Sequence, residues 1–165
     1  MEYEKEENVE KGEKVEDKFQ RWLNKHKIPY LYIQQDKETF SSAFNDLFPG
    51  KRPDFLILIQ NFGFIFVDVK YKKISKYGDY PIDAEETKKY SSMQRKFNIP
   101  TWFVVSNEDF DFKTWLWIPV SRVLELGIME KKSTKSGQDF FPIPPEEFIQ
   151  IADDDSLDRL FSKSF

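Results

Sequence analysis

The 165-residue sequence contains no cysteine and only one histidine. Without cysteine, disulfide bonds and cysteine-ligated zinc sites are excluded, and a reducing, cytoplasmic location is expected. The one histidine, His26, lies between two lysines at the end of a predicted helix, where a cation complements the helix dipole. Histidine-dependent nucleases, zinc hydrolases and Ser-His-Asp catalysis are therefore excluded.

Long apolar runs and glycine-rich loops are also missing. No run of 18 apolar residues occurs, so we expect no membrane span. The charged N-terminus lacks the apolar segment of a secretory signal, so none is expected. The six glycines are scattered, which excludes a glycine-rich phosphate loop.

The chain does contain enough apolar material for one core. Hydrophobic residues make up 39% and aromatic residues 17% of the sequence, which argues against disorder, and the length favours a single domain. The net charge is −4, but much of the acid lies at the two ends and lysine clusters lie in the middle. The charge distribution therefore leaves a basic binding surface possible, although each lysine cluster taken alone is more simply a solvated face.

Hydrophobic periodicity predicts an alternation of helices and strands. A helix is predicted over 13–26, because Val15, Phe19, Trp22 and Leu23 recur at helical spacing. Further helices are predicted over 83–97 and 121–126, and strands over 30–33, 54–60, 64–70, 101–106 and 113–118. This order predicts an α/β fold with a central mixed β-sheet flanked by helices.

The same pattern predicts three segments along the chain. Residues 1–12 are interpreted as a flexible charged tail, 13–127 as the core domain, and 128–165 as a C-terminal extension packed on or beside it. Asp83 is predicted to be the N-cap of the 83–97 helix, with Glu86 three residues later completing an approximate capping box.

Charged residues at the ends of two buried strands are the feature that points to a site. The runs Phe55–Ile59 and Phe64–Val67 are apolar, yet Asp54 precedes the first run and Asp68 follows the second. A buried charge is costly unless it is paired or holds a metal. A three-residue loop over 61–63 would set Leu56 opposite Asp68 and Asp54 opposite Lys70.

In that register Asp54, Asp68 and Lys70 share one face of the hairpin, while Val69 points to the other. Clustered carboxylates repel each other, and Mg²⁺ takes oxygen ligands, so a divalent cation would relieve the repulsion. An adjacent ammonium can orient a water or stabilise charge on phosphate. The simpler alternative is an Asp68–Lys70 ion pair with Asp54 as a turn residue.

At these residues the sequence resembles the PD-(D/E)XK nuclease superfamily. The pattern consists of Pro53-Asp54 and, fourteen residues later, Asp68-Val69-Lys70, and the resemblance extends over about residues 13–118. It implies a restriction-endonuclease-like core and a site in which Asp54, Asp68 and the Val69 backbone carbonyl bind Mg²⁺. Mn²⁺ is expected to substitute, and Lys70 is expected to position the attacking water.

Members of this superfamily often add a glutamate from the first helix, and some add a glutamine from the helix after the Asp-x-Lys strand. Among Glu10, Glu13 and Glu16, Glu16 lies at the edge of the apolar stripe and is our choice, although a solvated helical charge is the alternative. Gln94 shares a helix face with Tyr90 and Phe97, so it could touch the site or the nucleic-acid backbone, or it could bond a nearby carbonyl.

The resemblance implies hydrolysis of phosphodiester bonds in DNA, with DNA a more probable substrate than RNA and a homodimer possible. The expected phosphate contacts are Lys72, Lys73, Lys88 and Arg95. A catalytically silent nucleic-acid-binding module or subunit of a larger complex is the main alternative. A third hypothesis is a protein-interaction domain that uses exposed aromatics such as Phe141 and the proline-rich segment beside it.

Overall fold

The computed structural model describes residues 2–127, 131–132 and 138–161. The helices are α1 (Glu2–Lys25), α2 (Ser42–Leu47), α3 (Ala84–Phe97) and α4 (Val120–Leu126). The strands are β1 (Tyr30–Tyr32), β2 (Phe55–Ile59), β3 (Gly63–Tyr71), β4 (Tyr80–Asp83), β5 (Thr101–Ser106), β6 (Trp115–Pro119), β7 (Lys131–Lys132), β8 (Asp139–Ile143) and β9 (Ile149–Ile151).

Six of these strands form the central sheet, in the order β1-β2-β3-β5-β6-β9. β3 and β5 run parallel and the other neighbours run antiparallel, so the sheet is mixed as predicted. A parallel neighbour requires a crossover, and β4 with α3 supplies the connection from β3 to β5. A second sheet has the order β4-β8-β7.

The central sheet is buried on both faces. One face packs against α1, whose apolar stripe contains Phe19 and Leu23, both fully buried. The other face packs against α3, α4 and the second sheet, with Tyr90 and Met93 of α3 in its core. Burial on both faces explains why β5 and β6 are buried along their whole length rather than alternating.

The predicted start of the first helix at residue 13 is wrong, because α1 begins at Glu2 and runs through Gly12. A glycine in a helix costs only about 1 kcal/mol. Lys11 offsets part of this cost, since its ammonium pairs with Glu7 at 2.6 Å and lies 5.7 Å from the centre of the Tyr71 ring.

The C-terminal segment is part of the core rather than an extension beside it. β8 pairs with β4 in the second sheet, and β9 completes the central sheet beside β6. Phe141 is 3% exposed and packs over Gly127, so the hypothesis of a docking surface built on exposed Phe141 is wrong. Among the described residues, no helix is both long and apolar enough to cross a membrane.

Candidate active site

The turn between β2 and β3 differs from the predicted one. Asn61 takes the left-handed conformation with a φ of 70°, which asparagine tolerates, and the Phe62 N–H donates to the Ile59 carbonyl at 3.0 Å. Ile59 therefore pairs with Gly63, and the loop spans 60–62 rather than 61–63. The predicted pairing of the two strands is wrong by two residues.

A shift of two residues leaves every side chain on its predicted face, because side chains alternate with a period of two. The paired register ends with Phe55 opposite Val67, and Asp54 lies one residue beyond it, next to Asp68. The Asp54 N–H donates to the Val67 carbonyl at 3.0 Å, and Asp54 Oδ2 accepts from the Val69 N–H at 2.7 Å. Asp54 and Asp68 are 3% and 0% exposed. The hairpin therefore brings the two carboxylates and Lys70 together, as predicted.

The Lys70 ammonium lies between two carboxylates. Its Nζ is 2.8 Å from Asp68 Oδ2 and 2.5 Å from Glu86 Oε1. Glu86 lies in the first turn of α3, where its own N–H donates to Asp83 Oδ1 at 2.7 Å, so the predicted N-cap is confirmed. Asp68 Oδ2 and Glu86 Oε1 are both buried atoms. The positive charge of Lys70 is therefore what compensates them.

Two further side chains hold the other oxygen of Asp68. The Tyr90 hydroxyl donates to Asp68 Oδ1 at 3.0 Å, and Tyr90 is fully buried. Lys51 Nζ lies 3.5 Å from the same oxygen and 4.0 Å from Glu86 Oε1, with half of the Lys51 side chain exposed. Asp68 is therefore held by β3, α3 and the segment before β2 at once.

Glu16 approaches the same cluster from α1. It is partly buried at the edge of the apolar stripe, whereas Glu13 is exposed. After burial and the charge of Asp68, the charge of the nearby Glu16 carboxylate also acts to raise the pKa of Asp54. The helix position chosen from the sequence is thus the one that the fold brings to Asp54.

The two aspartates have opposite pKa shifts. Burial and then the adjacent Asp68 charge raise the pKa of Asp54 to about 10. Burial also acts to raise the pKa of Asp68, but the charges of Lys70 and Lys51 outweigh it and lower that pKa. At neutral pH Asp68 is therefore ionised while Asp54 is protonated.

The same burial and charges shift the pKa values of the groups beside Asp68. Burial and the charge of Asp68 raise the pKa of Glu86. Burial acts to lower the pKa of Lys70, but Asp68 and Glu86 outweigh it and raise that pKa, so Lys70 is a permanent cation. Burial and the Lys70 charge lower the pKa of Lys72.

Asp54, Asp68 and Glu16 are a donor set that suits a hard divalent cation, because all three offer carboxylate oxygens. Two observations fit such a cation. Asp54 is forced to hold a proton by burial beside Asp68, and the buried Asp68 Oδ2 already attracts a positive charge, the Lys70 ammonium at 2.8 Å. In the described part of the chain, no three acidic or histidine side chains are already arranged around one point at metal-binding geometry, and Lys70 supplies the positive charge instead.

Gln94 is not part of this cluster, and the prediction that it joins the site is wrong. Its side-chain oxygen accepts from the Thr101 N–H at 2.9 Å, so it caps the start of β5. Gln94 follows Glu86 by eight residues, or about 12 Å along the helix. Its helix face was predicted correctly, but the site lies at the other end of α3.

The four predicted phosphate contacts lie in different places. Lys72 lines a cleft of about 360 Å³ together with Lys51, Lys70 and Lys89. Lys73 is exposed and pairs weakly with Glu108 at 3.9 Å. The other two predicted contacts are both on α3, where Lys88 lines a neighbouring cleft and Arg95 is exposed in the last turn.

Sequence reasoning missed three members of the cluster. Glu86 was assigned only to helix capping, although it lies four residues before Tyr90 and so on the same inward face of α3. Tyr90 itself was treated as a core residue. Lys51 lies three residues before Asp54 and carried no signal, because a lone surface lysine in a loop is the commonest of patterns.

No family model matches the chain, and no curated protein is a detectable relative. Among solved structures, it is similar to Hjc, a Holliday junction resolvase from Archaeoglobus fulgidus, with 15% identity and a TM-score of 0.55 over 94% of this chain and 98% of that one. This chain has the fold of that resolvase. The resemblance to the PD-(D/E)XK nucleases is therefore confirmed for the fold. A second similar structure is D212, a nuclease from a fusselovirus, with 14% identity and a TM-score of 0.42 over 79% of this chain and 76% of that one.

Proposed function

We propose that this chain is a divalent-cation-dependent nuclease that hydrolyses phosphodiester bonds in DNA. The observation that carries the proposal is the pair of buried aspartates, Asp54 and Asp68, which lie next to each other on one hairpin with the Lys70 ammonium 2.8 Å from Asp68. Asp54, Asp68, Glu16 and the Val69 carbonyl would hold Mg²⁺, with Mn²⁺ able to substitute. When bound, the cation would polarise the phosphate and its attacking water.

The lysines of the cleft have separate roles in this proposal. The Lys70 ammonium orients the water or stabilises charge on the phosphate, because the carboxylates of Asp68 and Glu86 hold it in place. Lys51 and Lys72 line the same cleft and attract the phosphate backbone, which positions a nucleic acid without reading its sequence. Lys73, Lys88 and Arg95 are proposed as more distant phosphate contacts.

Glu86 is proposed to hold Lys70 in place, because its buried carboxylate contacts the ammonium at 2.5 Å. Glu85 provides a matched control at the mouth of the same cleft, since its side chain is 82% exposed and pairs with Lys89 at 3.4 Å. We expect Glu86→Gln to slow single-turnover cleavage about tenfold to a hundredfold, the equivalent of about 1.5–3 kcal/mol for a charge-assisted contact. Glu85→Gln should remain within about twofold of wild type.

A catalytically silent nucleic-acid-binding module is the second candidate. It is favoured by the closed ion pairing of Asp68, Lys70 and Glu86, in which the ammonium already compensates both carboxylates. A cytoplasmic location and a homodimer stay predictions, and light scattering in solution tests the second.

The deciding experiment incubates the purified chain with plasmid, linear, single-stranded and four-way-junction DNA, and with RNA. Each substrate is tested with Mg²⁺, with Mn²⁺ and with a chelator. The proposal requires cation-dependent cleavage that Asp68→Asn and Lys70→Met abolish and that Glu85→Gln retains. Cleavage that survives Asp68→Asn would refute the assigned site, and tight binding without cleavage on every substrate would favour the silent module.

A further inference from the structure

The segment 72–79, the rim loop, connects β3 to β4 directly beyond Lys70. The loop begins inside the site, because Lys72 lines the same cleft as Lys70 and Lys51. Its first residue is tied to the end of β5, where the Asn107 side-chain amide donates to the Lys72 carbonyl at 2.7 Å. Asn107 is itself buried, so the base of the rim loop is fixed relative to the aspartates.

The tip of the rim loop is closed by its own hydrogen bonds. The Ser75 hydroxyl donates to Asp79 Oδ1 at 2.9 Å, and the Ser75 N–H donates to the Asp79 carbonyl at 2.8 Å. The Gly78 N–H donates to the Ser75 carbonyl at 3.0 Å, and Gly78 has a φ of 80°, which favours glycine. These hydrogen bonds lie within the loop itself, so the tip is closed by its own residues.

The tip of the rim loop exposes two large hydrophobic side chains to solvent. Tyr77 is 75% exposed, more than any other large hydrophobic residue in the described part of the chain, and Ile74 is 50% exposed. Lys76 lies over the Tyr77 ring at 5.0 Å from its centre. The loop carries Lys72, Lys73 and Lys76 and one acid, Asp79, so it places an aromatic ring beside three lysines, of which Lys73 also pairs with Glu108 at 3.9 Å.

We propose that the rim loop binds an unstacked base of the nucleic acid whose backbone occupies the adjacent cleft. An aromatic side chain that is largely exposed can stack on any base, while lysines beside it contact the phosphates. Fully stacked duplex offers the ring no free base face, so the loop favours single-stranded, flap or junction DNA over blunt duplex. This inference rests on the proposed function, because the nucleic-acid strand that reaches Asp68 is the one that passes Lys72 and the rim loop.

The test compares Tyr77→Ala and Tyr77→Phe with the matched control Phe62→Ala. Phe62 is 60% exposed and lies at the hairpin tip, at the opposite end of the nine-residue strand β3, or about 30 Å away. Fluorescence anisotropy in a chelator measures the binding of single-stranded, junction and blunt duplex DNA without cleavage. A base analogue that changes fluorescence on unstacking, placed beside the junction, reports stacking directly.

We expect Tyr77→Ala to bind single-stranded and junction DNA about tenfold more weakly, with duplex binding within about twofold of wild type. Tyr77→Phe should restore binding, since stacking needs the ring and not the hydroxyl, and Phe62→Ala should behave as wild type. Unchanged single-strand binding in Tyr77→Ala, or an equal loss on blunt duplex, would overturn the inference while cleavage by the wild type still supports the nuclease. A wild type that neither binds nor cleaves any nucleic acid would overturn both.

Discussion

Replacing the first aspartate by its neutral amide, Asp54→Asn, should stabilise the protein while abolishing its activity. In the folded chain the pKa of Asp54 is about 10, against an ordinary value of 3.8. Folding at pH 7 therefore requires Asp54 to take up a proton, which costs at most about 4 kcal/mol. Asparagine is already neutral, and its side-chain oxygen can still accept from the Val69 N–H.

The raised pKa of Asp54 determines how the stability of the protein changes with pH. A carboxyl whose folded pKa is raised favours the folded state below its unfolded pKa and loses that contribution as pH rises toward the folded value. The advantage of Asp54→Asn over wild type should therefore be absent near pH 4 and grow by about 1.4 kcal/mol per pH unit above it. We expect a gain of about 2–4 kcal/mol at pH 7.

The assay is urea unfolding in a chelator at pH 4.5, 6 and 7.5, with midpoint and slope fitted separately (about 1.4 kcal/mol being a tenfold change in the unfolding constant). Asp17→Asn is the matched control, because Asp17 is exposed on α1 and forms a surface pair with Arg21, so its change should stay below about 1 kcal/mol. A pH-independent difference, or an Asp54→Asn protein less stable than wild type at pH 7.5, would refute the assignment of a protonated Asp54.

Two other experiments test the same cluster, and a third tests the segment before β2. Adding Mg²⁺ should raise the melting temperature of wild type and release protons in calorimetry, and both effects should vanish in Asp54→Asn; equal stabilisation of the two proteins would place the cation elsewhere. Lys70→Met should lower the free energy of unfolding by about 3–5 kcal/mol, because it removes the ammonium that lies between Asp68 and Glu86. Adding Glu86→Gln should recover part of this loss in urea titrations. Purely additive effects of the two substitutions would contradict the shared pairing. Arg52→Lys should lower that free energy by about 2–4 kcal/mol and slow cleavage, because the buried guanidinium bonds the carbonyls of Gln34 and Asp36 and the side chain of Asn45. A melt like that of wild type would show that other contacts hold the segment 34–52, which leads into Asp54.

The apolar patterns of the chain predicted most of the fold. Strands β2 and β3 lie within one residue of the predicted 54–60 and 64–70, because an apolar run bounded by turn residues leaves few other buried conformations. The start of α1 and the place of β9 were not predicted. An acidic helix without an apolar stripe gives no periodic signal, and a three-residue strand is too short to show one.

The residues of the candidate site likewise divide into those that the sequence predicted and those that it did not. Asp54, Asp68 and Lys70 could be placed on one face from the sequence, because strand alternation survived an error of two residues in the register. Glu86 and Tyr90 could not be assigned to the site, since nothing local says which end of α3 lies over the carboxylates. Gln94 was misplaced for the same reason.

The sequence by itself determined a mixed sheet in which two acids and an amine lie along one hairpin face, because side-chain alternation and the cost of buried charge are local rules. Only the tertiary structure decided which distant groups complete that face. The crossing of α3 brings Glu86 to Lys70, and the packing of α1 brings Glu16 to Asp54. Their charges and burial then separate the pKa values of two chemically identical aspartates.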